Sequence, residues 1–173
     1  MMEIADQSLS GKDVQLEGID FITNGNQYLT FILGPEHYGI DILAVEEIRG
    51  WDEPTRIPRS PAYVKGVTNL RGTIVPILDL REQFQVGEVA YSPTTVVIVL
   101  TLDNAEVQRT MGFVVDAVSD VLNAEDGEIK KASAFTGSVS ENYINGLVNV
   151  GENVVTLLDV EQLLSLDEQN AEY

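Results

Sequence analysis

Apolar residues recur along the chain in short runs that are separated by turn residues, a pattern typical of β-strands. Apolar-rich runs begin at 27–33 and 94–100, continue at 38–49 and 111–122, and end in apparent hairpins at 67–78 and 147–158. The run TVVIVL is apolar on both faces, which predicts a strand buried on both sides. Pro76 has no N–H to donate, so its strand is predicted to lie at an edge or a bulge. The pattern predicts a mainly β protein.

The chain contains two copies of one unit. Residues 63–84 align with residues 143–164 at an offset of 80 without a gap, and six of the 22 pairs are identical. Two further blocks, 38–48 with 111–121 and 27–33 with 94–100, match in the same order. Three ordered matches indicate a duplication. Five strands per unit predict two small barrels, at about 27–90 and 94–166, packed around shared apolar faces.

The ends of the chain differ from this pattern. Residues 1–24 are polar and acidic and are predicted to form a flexible arm, residues 25–168 the folded domain, and residues 169–173 a tail. The start carries no basic residue or apolar run of the kind found in secretory signals. The longest apolar run, 96–100, is far too short to cross a bilayer. We therefore expect a cytoplasmic protein without direct membrane insertion.

Charge narrows the range of partners. The formal net charge is −18, which argues against binding nucleic acid or an anionic membrane surface. Six of the ten basic residues nevertheless lie between Arg49 and Arg81. This stretch is either a solvated face with ordinary ion pairs or a contact surface for an acidic partner.

Asp79 and Asp159 occupy equivalent positions in the two copies and are the candidate catalytic pair. Each follows a strand and precedes a Glu or Gln by three residues, as in Asp79-Leu-Arg-Glu82. That spacing is a signature of a helix N-terminus, so the carboxylates are predicted to cap short helices after each hairpin. The alternative is a small-barrel hydrolase that uses both aspartates. A pocket holding both free carboxylates would support it, and two helix caps would dismiss it.

The sequence offers little other site chemistry. The chain has one histidine, His37, and no cysteine, so no usual zinc site or Ser-His-Asp arrangement is expected. No phosphate-binding glycine loop is present, and we expect no cofactor. The two copies differ at the hairpin tip, where Arg71-Gly72 corresponds to Gly151-Glu152. Arg71 has no packing reason to be arginine there, which suggests a binding role; the alternative is a solvated turn residue.

Three segments resemble the CheW family of chemotaxis coupling proteins. They are YGIDILAVEEIRG (38–50), PAYVKGVTNLRGTIVPILDLR (61–81) and VVDAVSDVL (114–122), and the resemblance extends from about Gln27 to Leu166. It implies a fold of two five-stranded SH3-like β-barrels. It also implies a non-catalytic adaptor that couples methyl-accepting chemoreceptors to the histidine kinase CheA within membrane-associated, often polar, receptor arrays.

The resemblance also implies partner-binding residues. By matching motifs they are Val45, Glu47, Gly66, Arg71, Val96 and Val121. Glu47 and Arg71 are expected to pair near the contact surface, where the pair would orient the binding face, since exposed ion pairs add little stability. The resemblance does not divide these residues between receptor and kinase.

Overall fold

The structure, a computed structural model, describes residues 26–103, 108–131 and 139–165. The proposed arm (1–24) and tail (169–173) lie outside the described residues. Ten strands and two short α-helices, numbered here in chain order, are present in the described part of the chain. The strands are β1 (Asn26–Leu33), β2 (Glu36–Asp41), β3 (Val45–Gly50), β4 (Val64–Leu70), β5 (Thr73–Asp79), β6 (Val96–Asp103), β7 (Gln108–Val115), β8 (Ala117–Ala124), β9 (Ile144–Val150) and β10 (Asn153–Leu158). The helices are α1 (Leu80–Phe84) and α2 (Val160–Leu164), one after each hairpin as predicted.

The strands form two five-stranded sheets, which confirms the predicted fold class. Sheet I has the order β9-β10-β2-β1-β8, and sheet II has the order β4-β5-β7-β6-β3. Each sheet contains one parallel pair, β10 with β2 and β5 with β7, and its other pairs are antiparallel. The two orders are equivalent under the sequence repeat, because β1–β5 correspond to β6–β10.

Each sheet takes strands from both copies, which differs from the sequence-based division into barrels at 27–90 and 94–166. Sheet I combines β1 and β2 of the first copy with β8, β9 and β10 of the second. The chain changes sheet at the 3-10 turn Ile42–Ala44, after β2, and at Asp116, after β7. The repeat identified the strands correctly. It did not show that each copy divides its strands, because an internal alignment contains no pairing information.

A bridge from a connecting segment closes each sheet. Thr55, downstream of edge strand β3, exchanges backbone hydrogen bonds of 2.9 and 2.8 Å with Val67 on the opposite edge strand β4. Lys130, downstream of β8, makes the same pair of bonds with Leu147 on β9, both of 2.8 Å. Joining the two edges of one sheet curls it into a barrel and leaves less unpaired edge.

Apolar residues form one shared cluster and one smaller cluster in each sheet. The shared cluster combines side chains of both sheets, including Phe31 and Tyr38 of sheet I and Ile98 and Phe113 of sheet II. Strand β6 alternates between clusters: Val97 and Val99 face the interior of sheet II, while Ile98 and Leu100 face the shared cluster. The prediction that this strand is buried on both sides is confirmed.

Candidate partner-binding surface

The Arg71 hairpin tip has an unusual backbone. Arg71 and Gly72 both have positive φ angles, of 51° and 89°, as a type I′ turn requires. The Asn69 side-chain oxygen accepts a hydrogen bond of 2.8 Å from the Gly72 N–H and fixes the turn. Positive φ at the first position favours asparagine or glycine over arginine. An arginine that is held in this conformation is a candidate for function.

Two glutamates of β3 hold the Arg71 side chain. Arg71 Nη2 lies 2.9 Å from Glu47 Oε1 and 3.2 Å from Glu46 Oε2, so the expected pairing of Glu47 with Arg71 is present. Neighbouring residues on a strand normally point to opposite faces. The register of β3 with β6 shifts between Val45 and Glu47, however, and such a bulge can re-aim a side chain. We attribute the approach of both glutamates to this bulge.

The pair orients Arg71 more than it stabilises the fold. Hydrogen bonding and charge attraction from Glu47, followed by those from Glu46, raise the pKa of Arg71 above its ordinary value. The arginine side chain remains 62% exposed, and an ion pair so open to water contributes little to folding. Glu46 also accepts a hydrogen bond from the Thr101 hydroxyl of β6, which fixes the carboxylate to the sheet.

Apolar side chains lie beside these charges. Ile74, on β5 and within the same concave surface as Glu46 and Arg71, is 60% exposed. We call Glu46, Glu47, Arg71 and Ile74 the Arg71 surface. Ile48, two residues beyond Glu46 on β3, is also exposed. Exposed isoleucine beside oriented charges is a composition suited to protein recognition.

The structure brings only some of the predicted partner-binding residues together. Val45 lies on β3 before Glu47, is partly buried and packs against the shared cluster. Val96, the first residue of β6, also packs against that cluster and pairs with Gly50 at the end of β3. Val121 lies on β8 in sheet I, is 39% exposed and occupies the position equivalent to Ile48. The six residues are therefore distributed over both sheets, and their roles in binding stay predictions.

Gly66 has a structural reason to be glycine. It lies at the register shift between β4 and β5, is buried, and has a φ angle of 144°. A Cβ at this position would lie 2.1 Å from the carbonyl oxygen of Thr55, in the segment that closes sheet II. Closure of the barrel therefore requires the absence of a side chain, whatever Gly66 also contributes to binding.

Asp79 is committed to a buried ion pair. Its Oδ1 accepts hydrogen bonds of 3.0 Å from both the backbone N–H and the Nε of Arg81, and its Oδ2 lies 2.9 Å from Arg81 Nη2. Neither side chain is exposed. Burial alone would lower the pKa of Arg81, but the hydrogen bonds and charges of Asp79 and Asp116 raise it above its ordinary value. The aspartate has no oxygen available to act on a substrate.

Asp159 caps α2 by accepting a hydrogen bond of 3.3 Å from the Gln162 N–H. Both aspartates therefore cap helices, as the sequence spacing predicted, and this outcome dismisses the hydrolase. One expectation is wrong for Arg81: the basic stretch from Arg49 to Arg81 was expected to form a solvated face or a contact surface, yet Arg81 is fully buried beneath the Tyr91 ring, 5.3 Å from its centroid. No local pattern around Arg81 signals that three separate segments converge on it.

Comparison with known proteins gives the family. The CheW-like domain model matches residues 27–168, which is most of the chain. The chain belongs to the CheW-like domain family. It is 50% identical over 146 residues to the chemotaxis protein CheW of Klebsiella aerogenes, covering 84% of this chain and 86% of that protein. The CheW of Bacillus subtilis is 28% identical over 143 residues, covering 83% of this chain and 89% of that protein.

Solved structures support the same fold. The scaffolding protein TtCheW from Thermoanaerobacter tengcongensis aligns with a TM-score of 0.72 at 24% identity, covering 82% of this chain and 88% of that one. CheW-like proteins are non-catalytic scaffolds, so this protein is a chemotaxis scaffold or adaptor and not an enzyme. In the described ranges, no cluster of three metal-ligating side chains occurs, and no helix has the length and apolarity to span a bilayer.

Sequence reasoning missed two members of the Arg71 surface. The family motif indicated only Glu47, and regular strand alternation would place its neighbour Glu46 on the opposite face. Ile74 was overlooked inside an apolar run. Alternation with the buried Val75 could have shown that Ile74 points outward.

Proposed function

We propose that this protein couples methyl-accepting chemoreceptors to the histidine kinase CheA, as a cytoplasmic adaptor at membrane-associated receptor arrays. Its direct partners would be the receptor cytoplasmic tips and the regulatory domain of the kinase. Support comes from the 50% identity to a chemotaxis CheW along most of both chains. Val45, Glu47, Gly66, Arg71, Val96 and Val121 are proposed to contribute to these contacts.

The observation that carries the proposal in this structure is the held conformation of Arg71. Its backbone has positive φ and its guanidinium is oriented by Glu46 and Glu47, although the side chain is largely exposed. Folding gains little from such a pair. Binding gains more, because an oriented charge contacts a partner with less loss of side-chain freedom.

Co-sedimentation tests the coupling role. The purified chain is mixed with a receptor cytoplasmic fragment, with the kinase regulatory domain, and with both. We expect binding to each partner alone and a ternary complex with both. Binding to neither partner would refute the proposal, and binding to only one would refute coupling by this chain.

The role of the Arg71 surface is tested by Arg71→Glu, which should weaken binding to at least one partner while changing stability by no more than about 0.5 kcal/mol. Arg56→Glu is the matched control, because it makes the same charge change at an exposed site on the β3–β4 connection. Adding Glu47→Arg to Arg71→Glu should restore part of the lost binding if the pair orients the surface. If Arg71→Glu and Arg56→Glu weakened partner binding equally, the loss would be due to net charge alone and not to the Arg71 surface.

A further inference from the structure

Two guanidiniums of the basic stretch between Arg49 and Arg81 have no counter-charge. Four of its six basic residues form ion pairs with carboxylates, namely Arg49, Lys65, Arg71 and Arg81. Within the described residues, the other two, Arg56 and Arg59, form no ion pair and no side-chain hydrogen bond. Both are exposed on the connection between β3 and β4. The choice between a solvated face with ordinary ion pairs and a contact surface therefore concerns these two residues.

Arg56 and Arg59 line an open depression of about 330 Å³. Its lining lies between residues 56 and 65 and includes no acidic residue of the described chain. Lys65 also lines it, but the Glu82 carboxylate at 2.6 Å balances that charge. Ile57, in the same lining, is 40% exposed. The depression therefore has an excess of two positive charges beside an exposed apolar side chain, in a chain of net charge −18.

The loop that carries the two guanidiniums is fixed by its own backbone and side chains. Pro58 and Pro61 each restrict a backbone φ angle. The Ser60 hydroxyl donates a hydrogen bond of 2.8 Å to the carbonyl oxygen of Ile57. Arg59 has a φ angle of 66°, which is uncommon for a residue other than glycine. A loop that is already ordered loses little conformational freedom when it binds, so the depression is prepared for an occupant.

The arm at residues 1–24, which lies outside the described residues, has the complementary charge. It contains a single basic residue, Lys12, and five acidic residues: Glu3, Asp6, Asp13, Glu17 and Asp20. In its segment 13–22, DVQLEGIDFI, apolar residues stand between the acidic ones. The arm can therefore offer carboxylates to the two guanidiniums and an apolar side chain to Ile57. The acidic remainder of the chain repels it.

Lys130 and Lys131 are the competing basic site, because both are exposed and neither forms an ion pair within the described part of the chain. Three acidic residues, Glu125, Asp126 and Glu128, closely precede them in the sequence. The local charge there is negative, so this site attracts an acidic segment less than the depression does.

The length of the arm and its attachment favour it over a separate acidic protein. Twenty-four residues span at most about 80 Å when extended. A domain of this size has a radius of gyration of only about 14 Å, so the arm can reach any face from its attachment at Asn26. Tethering also gives the arm a millimolar effective concentration at the depression, which a separate protein would have to match.

We infer that the arm at residues 1–24 docks in the depression beside Arg56 and Arg59 of its own chain. Carboxylates of the segment 13–20 pair with the two guanidiniums, and a neighbouring apolar side chain contacts Ile57. The docked arm closes this basic surface to acidic partners until it is displaced. The inference does not rest on the proposed coupling function. No residue that lines the depression belongs to the Arg71 surface, so Arg56→Glu remains a matched control for Arg71→Glu.

A paramagnetic label in the arm of the full chain tests the docking. The chain has no cysteine, so Ser10→Cys provides a single site for a nitroxide. We expect the amide signals of Ile57 and Arg59 to lose about half or more of their intensity, because the tethered arm occupies the depression. The intensity should recover at about 1 M salt, where charges are screened beyond about 3 Å.

Matched charge variants, each labelled at Ser10→Cys, identify the contact. The double variant Arg56→Glu, Arg59→Glu should restore the Ile57 signal, whereas Lys130→Glu, Lys131→Glu makes the same charge change and should leave the signal weakened. Reversing the arm by Asp13→Lys, Glu17→Lys and Asp20→Lys should also restore it, without any substitution in the described domain. Combining the reversed arm with Arg56→Glu, Arg59→Glu should weaken the signal again.

Three results would overturn the inference. They are undiminished Ile57 and Arg59 signals in the labelled wild-type background, equal recovery in the two double variants, and no recovery with the reversed arm. Mixing a labelled chain with an unlabelled, isotope-enriched chain examines contact between copies. Weakened Ile57 signals in the enriched chain would identify the arm of a second copy as the occupant and would also overturn docking within one chain.

Discussion

Arg81 and Asp116 join the two sheets through a contact of 2.8 Å between Arg81 Nη1 and Asp116 Oδ1. Arg81 lies in α1, directly after β5 of sheet II, and Asp116 lies where the chain passes from sheet II to sheet I. The other oxygen of Asp116 accepts a hydrogen bond of 2.6 Å from the backbone N–H of Gly34, in the β1–β2 turn of sheet I. One carboxylate therefore links a buried cation of one sheet to a turn of the other.

Removing this link should destabilise the whole domain. We expect Asp116→Ala to lower the free energy of unfolding by about 1–3 kcal/mol, because the buried Arg81 and the Gly34 N–H both lose a partner. Asp103→Ala, at an exposed strand end, is the control and should change it by no more than about 0.5 kcal/mol. Denaturant unfolding measures both. Equal losses of unfolding free energy in the two variants would show that the Asp116 link does not stabilise the domain.

The two capping aspartates should differ in importance. Asp159→Ala removes a helix cap and should cost about 1 kcal/mol. Asp79→Ala removes a cap and also leaves the fully buried Arg81 without its two-point partner, which should cost about 3–5 kcal/mol. Urea unfolding of both variants provides the comparison. A cost for Asp79→Ala no greater than that for Asp159→Ala would contradict the buried ion pair as described.

The sequence was informative where structure is local and less so where distant segments meet. The repeat located the strands, and the Asp79-to-Glu82 spacing located a helix. Neither feature contains information on which strands pair, so the division of each copy between the sheets was not predicted. The buried environment of Arg81 depends on Asp116, 35 residues away, and on Tyr91, and no local pattern reports such a meeting.

Pro76 illustrates the same limit. The predicted edge or bulge at Pro76 is wrong, because β4 and β7 lie on either side of β5 and the register shift of the β4–β5 pair lies between Val64 and Gly66. The pairing of β5 with β7 begins at Ile77, directly after Pro76. Pro76 directs its backbone towards β7, because the opposite residue Val67 uses its N–H and C=O to bond Thr55, in a connecting segment that sequence patterns do not place.

Gly66 and Gly50 provide a matched test of barrel closure. Gly66→Ala would place a Cβ 2.1 Å from the Thr55 carbonyl oxygen, whereas a Cβ at Gly50 meets no atom within 4 Å. We expect Gly66→Ala to lower the unfolding free energy by more than about 2 kcal/mol, since a backbone conformation and a close packing contact are both disrupted. Gly50→Ala should be within about 1 kcal/mol of wild type. Thermal and denaturant unfolding measure both, and a well-folded, stable Gly66→Ala would contradict the closing bridge.

Stability should decline at alkaline pH because of buried tyrosines. Burial, with a contribution from the hydrogen bond to Glu36, raises the pKa of Tyr38 far above its ordinary value, and burial likewise raises the pKa of Tyr143. Below about pH 10 these phenols are protonated in both the folded and unfolded chains, and their contribution to stability is complete. Above that pH the unfolded chain releases protons that the folded chain retains. Each such group therefore lowers the unfolding free energy by about 1.4 kcal/mol per pH unit.

Substitution of Tyr38 by phenylalanine isolates this effect. Unfolding free energies of the wild type and Tyr38→Phe, measured by denaturant titration between about pH 9 and 11, should both decline as other groups titrate. Above about pH 10 the unfolding free energy should decline less steeply for Tyr38→Phe than for the wild type, by about 1.4 kcal/mol per pH unit. The reason is that the variant has no phenol at that position to release a proton on unfolding. Its stability at neutral pH will also differ through the lost bond to Glu36, so the slope is the quantity to compare. Parallel slopes for the two proteins would show that Tyr38 ionises equally in the folded and unfolded chains.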